Sequence, residues 1–286
     1  MTFAGFRPRL LLAASMAMGV SCAAQKIPTA PKGGTGLGPG DVALVGFSTS
    51  GNQSDYFAFA LLKAVVKGSF LSLTDENWTG SALGLSDGAI ITWSADKDYP
   101  AGTVVETLPT SDGSKSSTYS YAVKILSGGA TYTNVTGPGN QAGTYAVDAS
   151  SPIQVITVAN TGGGLTGWSS GDQFLFFQGP AVLGEGASGI TFLGAVTYNT
   201  DWLTGTPNAS LATGAGCYLP PGLTDHVNAM AITLTVGKGG YYNCANGTTG
   251  TAAALAALFY DQSKWTLNMS TGDLPDPVLT CAITVQ

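Results

Sequence analysis

The sequence predicts a mainly β protein, an antiparallel β-sandwich with one short Ala-rich helix near its C-terminus. Three observations carry that expectation. Between Gly40 and Trp93 four apolar runs, at 42–47, 57–62, 70–73 and 90–93, are separated by turn residues and Gly-rich breaks, the spacing of short strands in a sandwich or barrel. Glycine makes up 40 of 286 residues, about double the usual share. Charged residues are only 10%, against about a quarter in an average soluble chain. Ser and Thr, about one residue in five, take their place, so this is not the high-charge, low-apolar composition of disorder. A chain of 286 residues can also bury a sizeable core.

Residues 1–24 read as a signal peptide. Arg7 and Arg9 form a basic start, Leu10 to Val20 is an apolar stretch too short to span a bilayer, and Ser21-Cys22-Ala23-Ala24 supplies small residues for cleavage. The mature chain is therefore expected to be secreted, extracellular or at the cell surface. Lipidation at Cys22 is an alternative, although Gly19 stands where a lipoprotein signal wants a bulky aliphatic residue. Removing two arginines and no acid takes the formal charge from −6 to about −8, which argues against nucleic acid or an anionic membrane as partner. No later segment has the run of apolar residues needed for a membrane span.

Residues 25–39 are a Pro- and Gly-rich flexible linker, and residues 40–286 are expected to form a single domain. Beyond the four opening strands, Tyr99-Pro100-Ala101-Gly102-Thr103 makes a turn feeding another strand. Thr110 to Ser120 is a Ser-rich loop turning at Asp112-Gly113. Tyr119 to Leu126 and Gly143 to Val147 read as a hairpin insertion within 110–147. Ile153 to Val158, Gln173 to Phe177, Ile190 to Tyr198 and Ala229 to Val236 supply further strands. In Thr251 to Trp265, Leu255, Leu258 and Phe259 fall at i, i+3 and i+4 among alanines, with Thr248, Thr249 or Thr251 available as cap. That pattern predicts a packing helix of about three turns. With Lys264 its only base, it lacks the polar face of a membrane-surface helix.

In an exported chain one pair among Cys217, Cys244 and Cys281 is expected to form a disulfide. Cys217 with Cys244 is the expected pair, because both flank the strand from Ala229 to Val236, leaving Cys281 over. No CxxC or Cys/His cluster points to a metal. Six of the eleven asparagines, Asn52, Asn77, Asn134, Asn208, Asn246 and Asn268, lie in N-x-S/T sequons; in a eukaryotic host they are candidate glycosylation sites that mark exposed loops, whereas in a bacterium the excess carries little meaning.

Three sets of residues are candidates for a site. Gly167 to Gly171 matches G-x-S-x-G, and Ser169, Asp201 and the only histidine, His226, follow the hydrolase order Ser, Asp, His. A nucleophile elbow needs a helix after the serine, whereas Gly-Asp and a strand follow here, which makes His226 a surface or turn residue. Asp55, Asp75, Glu76, Asp87 and Asp172 lie at strand ends, where loop carboxylates can hold Ca²⁺ or simply bond turn amides. Trp78, Trp168 and Trp202, with Trp265, lie in or beside Gly-, Asn- and Thr-rich loops, where an indole face suits stacking on sugar or protein, or anchors the loop. P-loops, dinucleotide fingerprints and HExxH are missing, so no cofactor is expected unless Ca²⁺.

The series GDVALVGF, DYFAFALL, LTDENW, ITW, YPAGTVV and SSGDQFLFFQG, continued by LPPGLTDHVNAMAI and KWT, resembles a group of uncharacterised secreted bacterial-type surface domains. More loosely it is similar to lamin-tail domains of the immunoglobulin-like sandwich type. The likeness covers most of residues 40–267 and departs in the cysteines and the 110–145 segment. It implies a sandwich fold and an extracellular place, and brings no catalytic residue. The expected function is that of a non-enzymatic surface or matrix protein acting in adhesion or structural assembly, with other extracellular proteins, its own copies or glycans as partners. The alternatives are a carbohydrate- or Ca²⁺-dependent binding module and a secreted hydrolase using Ser169 and His226.

Overall fold

Alternation in the opening strands sets the core. A computed structural model describes residues 35–48, 56–84, 90–95, 97–109, 120–126, 154–157, 172–181, 184, 186–198, 201–207, 216–234, 239–269 and 281–286. Its strands are β1 (Val42–Ser48), β2 (Tyr56–Leu61), β3 (Phe70–Thr74), β4 (Ile90–Ser94), β5 (Val104–Pro109), β6 (Ser120–Leu126) and β7 (Gln154–Thr157). There follow β8 (Gln173–Gln178), β9 (Thr191–Thr197), β10 (Ala229–Ala231), β11 (Gly239–Tyr242) and β12 (Thr249–Gly250). The helix α1 (Ala252–Phe259), β13 (Trp265–Met269) and β14 (Thr284–Val285) complete the order. The protein is mainly β, with antiparallel sheets and, among the described residues, one α-helix, as the sequence predicts.

Among the described residues, seven strands form one sheet in the order β13-β11-β1-β2-β5-β6-β7 and five form a second in the order β10-β9-β8-β3-β4. All neighbours in the seven-stranded sheet run antiparallel; in the other, only β9 and β10 are parallel. The arrangement is sandwich-like, the two sheets meeting through rings. Phe47 lies 5.8 Å from Phe174, Phe59 lies 5.5 Å from Phe176, and Phe59 meets Trp93 edge-on at 6.2 Å. These separations fit offset and edge-to-face aromatic packing.

A bulge keeps β1 in phase with that interior. Val42 pairs with Leu61 and Leu44 with Phe59, but Phe47 pairs with Phe57, so the register slips between Leu44 and Gly46. Cross-strand partners share a face, so the extra residue puts Val42, Leu44 and Phe47 on one side despite their uneven spacing. Small residues take the opposite side, where Ala43 pairs with Ala60 and Gly46 with Ala58.

Unlike a simple sandwich sheet with one wet face, the five-stranded sheet is covered on both. Phe174, Phe176 and Val196 belong to the core shared with the first sheet, while Leu175, Phe177, Phe192 and Ala195 belong to a second cluster with Trp78, Leu83, Cys217, Tyr218 and Leu223. That second cluster is roofed by loops. Isolated bridges pair Trp78 with Leu83, Ala82 with Gly186 and Leu203 with Tyr218. The Tyr218 amide donates to the Trp78 carbonyl at 2.9 Å. Loops that satisfy one another's backbone groups in this way can lie over an apolar face.

The helix is shorter than its sequence pattern predicts. Thr251 caps it, its hydroxyl accepting from the Ala254 amide at 3.3 Å. Leu255, Ala256 and Phe259 are buried. Tyr260 ends the helix and its Oη donates to the Val42 carbonyl at 2.9 Å, beside the stretch of β1 that β11 does not reach. Asp261 then caps a 3₁₀ turn at Gln262–Lys264, and Trp265 opens β13 rather than closing the helix. The strand expected from Ala229 to Val236 is three residues long, Ala229–Ala231. Of the strand expected from Tyr119 to Leu126, Ser120–Leu126 appears as β6, paired with β5 and β7 inside the seven-stranded sheet, while Tyr119 and Gly143 to Val147 lie outside the described residues.

The cysteine pairing differs from expectation. Cys244 is joined to Cys281, with Cα atoms 6.0 Å apart, and Cys217 is a buried free thiol. Cys217 and Cys244 do flank β10, but Cys217 faces the loop-roofed cluster and Cys244 packs at the margin of the main core. The tail reaches Cys244 because β14 pairs with β12, Thr284 donating to the Thr248 carbonyl at 2.8 Å. No helix among the described residues is long and apolar enough to cross a membrane.

Candidate functional site

The acids at the end of β3 and the start of β8 meet at one end of the five-stranded sheet, because those strands are antiparallel neighbours. Asp75, Glu76, Asn77, Asp172 and Gln173 are all buried. Gln173 joins the two segments: its amide nitrogen donates to the Asp75 carbonyl and, at 2.8 Å, to Asp172 Oδ1. The Gln173 backbone amide also donates to Asp172 Oδ1, at 2.9 Å. Glu76 is held by its backbone, which donates to Thr74 Oγ1 at 3.0 Å, and Asn77 Nδ2 donates to the Gly216 carbonyl at 3.1 Å. Gly84 closes the cluster from the roof; a Cβ there would overlap Asn77 Oδ1 and Glu76 Oε2. Buried polar groups with fixed backbone partners tie loops down; here Gln173 joins the exit of β3 to the entry of β8, and Asn77 joins that exit to the segment at Gly216.

Gln173 was not legible as a member of this set. The only hint is an amide opening a strand that is apolar from Phe174 to Phe177. Its Oε1 is buried with no hydrogen-bond partner among the described residues. No group of three or more His, Cys, Asp or Glu among the described residues is arranged to hold a metal. Asp75, Glu76 and Asp172 thus share a region without forming a ligand set, while Asp55 and Asp87 lie outside the described residues.

The tryptophans separate by burial. Trp78 is 4% exposed and meets Phe192 edge-on at 5.3 Å, so it is a core residue and offers no stacking face. Trp265 is likewise buried, its Nε1 donating to the Phe259 carbonyl at 2.8 Å. Trp202 is half-buried against the second cluster and its Nε1 donates to Asp225 Oδ1 at 3.0 Å. Trp168 lies outside the described residues.

His226 sits in a tight turn in the left-handed region, φ 58°, with 70% of its side chain exposed. Its Nε2 is 3.4 Å from Asp225 Oδ2. The carboxylate beside the histidine is therefore its chain neighbour. Asp201 is exposed on the preceding loop, and Ser169 lies outside the described residues. Together Trp202, Asp225 and His226 form a small polar surface patch, flanked by Val227, which is 51% exposed.

Among the described sequon asparagines, Asn77 is excluded by the fold, since its Nδ2 is buried and bonded to Gly216. Asn246 is exposed and Asn268 half-exposed. Asn52, Asn134 and Asn208 lie outside the described residues.

Cys217 accepts from the Trp78 amide at 3.3 Å and lies on the apolar side of the acidic cluster. Burial pushes its thiol up from the ordinary 9.0 to about 12; the Trp78 hydrogen bond opposes the shift and the Asp172 charge adds to it. Only the thiolate reacts quickly with disulfide reagents. The folded mature chain, lacking Cys22, is therefore expected to leave Cys217 unmodified by a chromogenic disulfide at pH 8 and to release one equivalent of reporter on unfolding. Rapid labelling of native protein would contradict the burial. Burial raises Tyr260 above its ordinary 10.0 in the same direction. Both groups keep protons that the unfolded chain gives up, so their contribution is complete below about pH 9 and is lost as the pH climbs toward 12. Unfolding free energies at pH 8 and pH 11 are expected to fall between the two, and Cys217→Ala to flatten the drop.

No family model, curated protein or solved structure matches the chain.

Proposed function

We propose that the mature chain is a secreted, non-enzymatic protein of the cell surface or extracellular matrix, working by adhesion or structural assembly. The observation that carries this reading is where the chemistry-bearing residues go. Asp75, Glu76, Asn77, Asp172 and Gln173 are buried, with Gln173 and Asn77 bonding across to neighbouring segments, Cys217 is a buried thiol, and the one histidine points to solvent beside its own neighbour. The composition, low in charge and rich in Gly, Ser and Thr, suits neutral partners. The Cys244–Cys281 bond fits an oxidising compartment, as the leader-like residues 1–24 do.

The finer fold assignment is part of the proposal. An antiparallel β1–β2 pair, the D-x-x-W segment Asp75 to Trp78 after β3, the Pro100 to Thr103 turn before β5 and Asp172 at the entry to β8 support the reading of a lamin-tail-like sandwich of the immunoglobulin type. Native material from its own cells is expected to run in size exclusion with a polymeric partner or as an assembly, visible by electron microscopy. A strictly monomeric species that co-purifies with nothing would sink the structural reading.

A second reading, carbohydrate binding, rests on the patch of Trp202, Asp225 and His226. A half-buried indole with a carboxylate and an imidazole at its rim can stack on a sugar ring and bond its hydroxyls. Binding to neutral polysaccharides that is abolished by Trp202→Ala, with the fold retained, would favour it over assembly.

A further inference from the structure

We propose that Asn246 and Asn268 carry N-linked glycans, and that this pair shields the β13 edge of the seven-stranded sheet from strand addition. The inference rests on the exported reading above. β13 is the outermost strand on its side among the described residues, and an outermost strand exposes backbone groups that template pairing with another chain unless something covers them. The two sequons bracket the β11–β13 ladder. At the end where Tyr242 pairs with Trp265, Asn246 Nδ2 donates to the carbonyl of Lys264, the residue before β13, at 3.1 Å, and to that of Asn243 at 3.0 Å. At the other end Gly239 pairs with Met269 and Gly240 with Leu267, which leaves Asn268 as the extra residue of a bulge.

The backbone at both positions suits attachment. Asn268 has φ 62°, a left-handed conformation that asparagine tolerates better than most residues, and is half-exposed. Asn246 ends a 3₁₀ turn and is followed by Gly247 at φ 113°. In the transfer, the side-chain amide nitrogen attacks the anomeric carbon of a lipid-linked oligosaccharide diphosphate. The C1–O bond breaks, an Nδ2–C1 bond forms, one amide proton is lost and the lipid diphosphate leaves. The nitrogen keeps one proton, so Asn246 retains one of its two carbonyl contacts. Asn77 is the internal contrast, a sequon asparagine whose Nδ2 is buried on the Gly216 carbonyl. Covering an edge with a bulky, soluble group at each end blocks pairing along the strand between.

The full chain should be expressed in a eukaryotic secretory host, and its secreted fraction deglycosylated enzymatically in heavy-oxygen water and mapped by peptide mass spectrometry. The expected result is the isotopic mark at Asn246 and Asn268 and none at Asn77. The variant Thr248→Ala/Ser270→Ala removes both sequons while keeping both asparagines and the two Asn246 hydrogen bonds. It is expected to remain folded by circular dichroism and to shift in size exclusion toward larger, concentration-dependent species than the wild type. A secreted chain without its first 24 residues and unmarked at Asn246 and Asn268 would overturn the proposal while leaving export intact. A marked wild type whose sequon-free variant does not self-associate further would overturn the shielding role. A chain retained inside the cell with residues 1–24 attached would overturn export and the proposal together.

Discussion

Replacing Phe176 with alanine is expected to lower the unfolding free energy by about 4 kcal/mol, the range for removing a fully buried phenylalanine. Phe176 is fully buried and sits where the two sheets meet, 5.5 Å from Phe59 and 6.5 Å from Phe57 across the interface, with Leu73 and Gly194 as its strand neighbours. Those neighbours cannot collapse into the space, because both sheets are fixed by their own ladders, so the lost burial is joined by the cost of a cavity. The matching control is Val227→Ala, at a side chain 51% exposed, expected to stay within about 0.5 kcal/mol. Urea unfolding followed by circular dichroism measures both. A loss below about 1 kcal/mol for Phe176→Ala would mean that the sheets do not share this core.

The same residues explain why the general architecture could be read from sequence. Phe57, Phe59 and Leu61 alternate with Ala58 and Ala60 and are spaced as a strand with large residues on one face. Periodicity of two is a local property, and the chain carries it openly. The bulge at Leu44–Gly46 was not legible, because an extra residue in an all-apolar run leaves no mark until the partner strand shows which residues pair. The helix was legible in its cap and in Leu255 and Phe259, but not in its end. Tyr260 stops it for a distant reason, its hydroxyl reaching the Val42 carbonyl in a strand more than two hundred residues earlier.

The candidate site was legible in composition and misjudged in placement. Loop acids and tryptophans read as exposed groups because turns are where such residues usually lie. Here the outer face of the five-stranded sheet needs a cover, and Trp78, Leu83, Cys217 and Tyr218 provide it. Folding those loops inward carries Asp75, Glu76 and Asn77 with them, and burial then demands fixed partners such as Thr74 and Gly216. Whether a loop lies on a sheet or waves above it is a question of long-range contacts, to which local pattern is blind.

Cysteine pairing fails for the same reason, and it sets up the other large effect. Removing the Cys244–Cys281 bond by Cys244→Ser/Cys281→Ser is expected to cost about 2–4 kcal/mol. The bond closes a separation of 37 residues that contains α1 and β13, for which the loop-entropy argument gives about 4 kcal/mol. Without it, the tail is held by a two-residue ladder with β12, the amide bonds from Thr284 and Gln286 at 2.8 and 2.9 Å, and the buried Ile283. A contact that small does not offset the entropy of ordering six residues by itself. The double variant and the reduced wild type should therefore unfold at the same lowered denaturant midpoint, since Cys217 takes no part. Had Cys217 paired with Cys244, Cys217→Ala would be the damaging change. Finding a 217–244 peptide in a non-reduced digest, or no stability loss in the double variant, would refute the clamp.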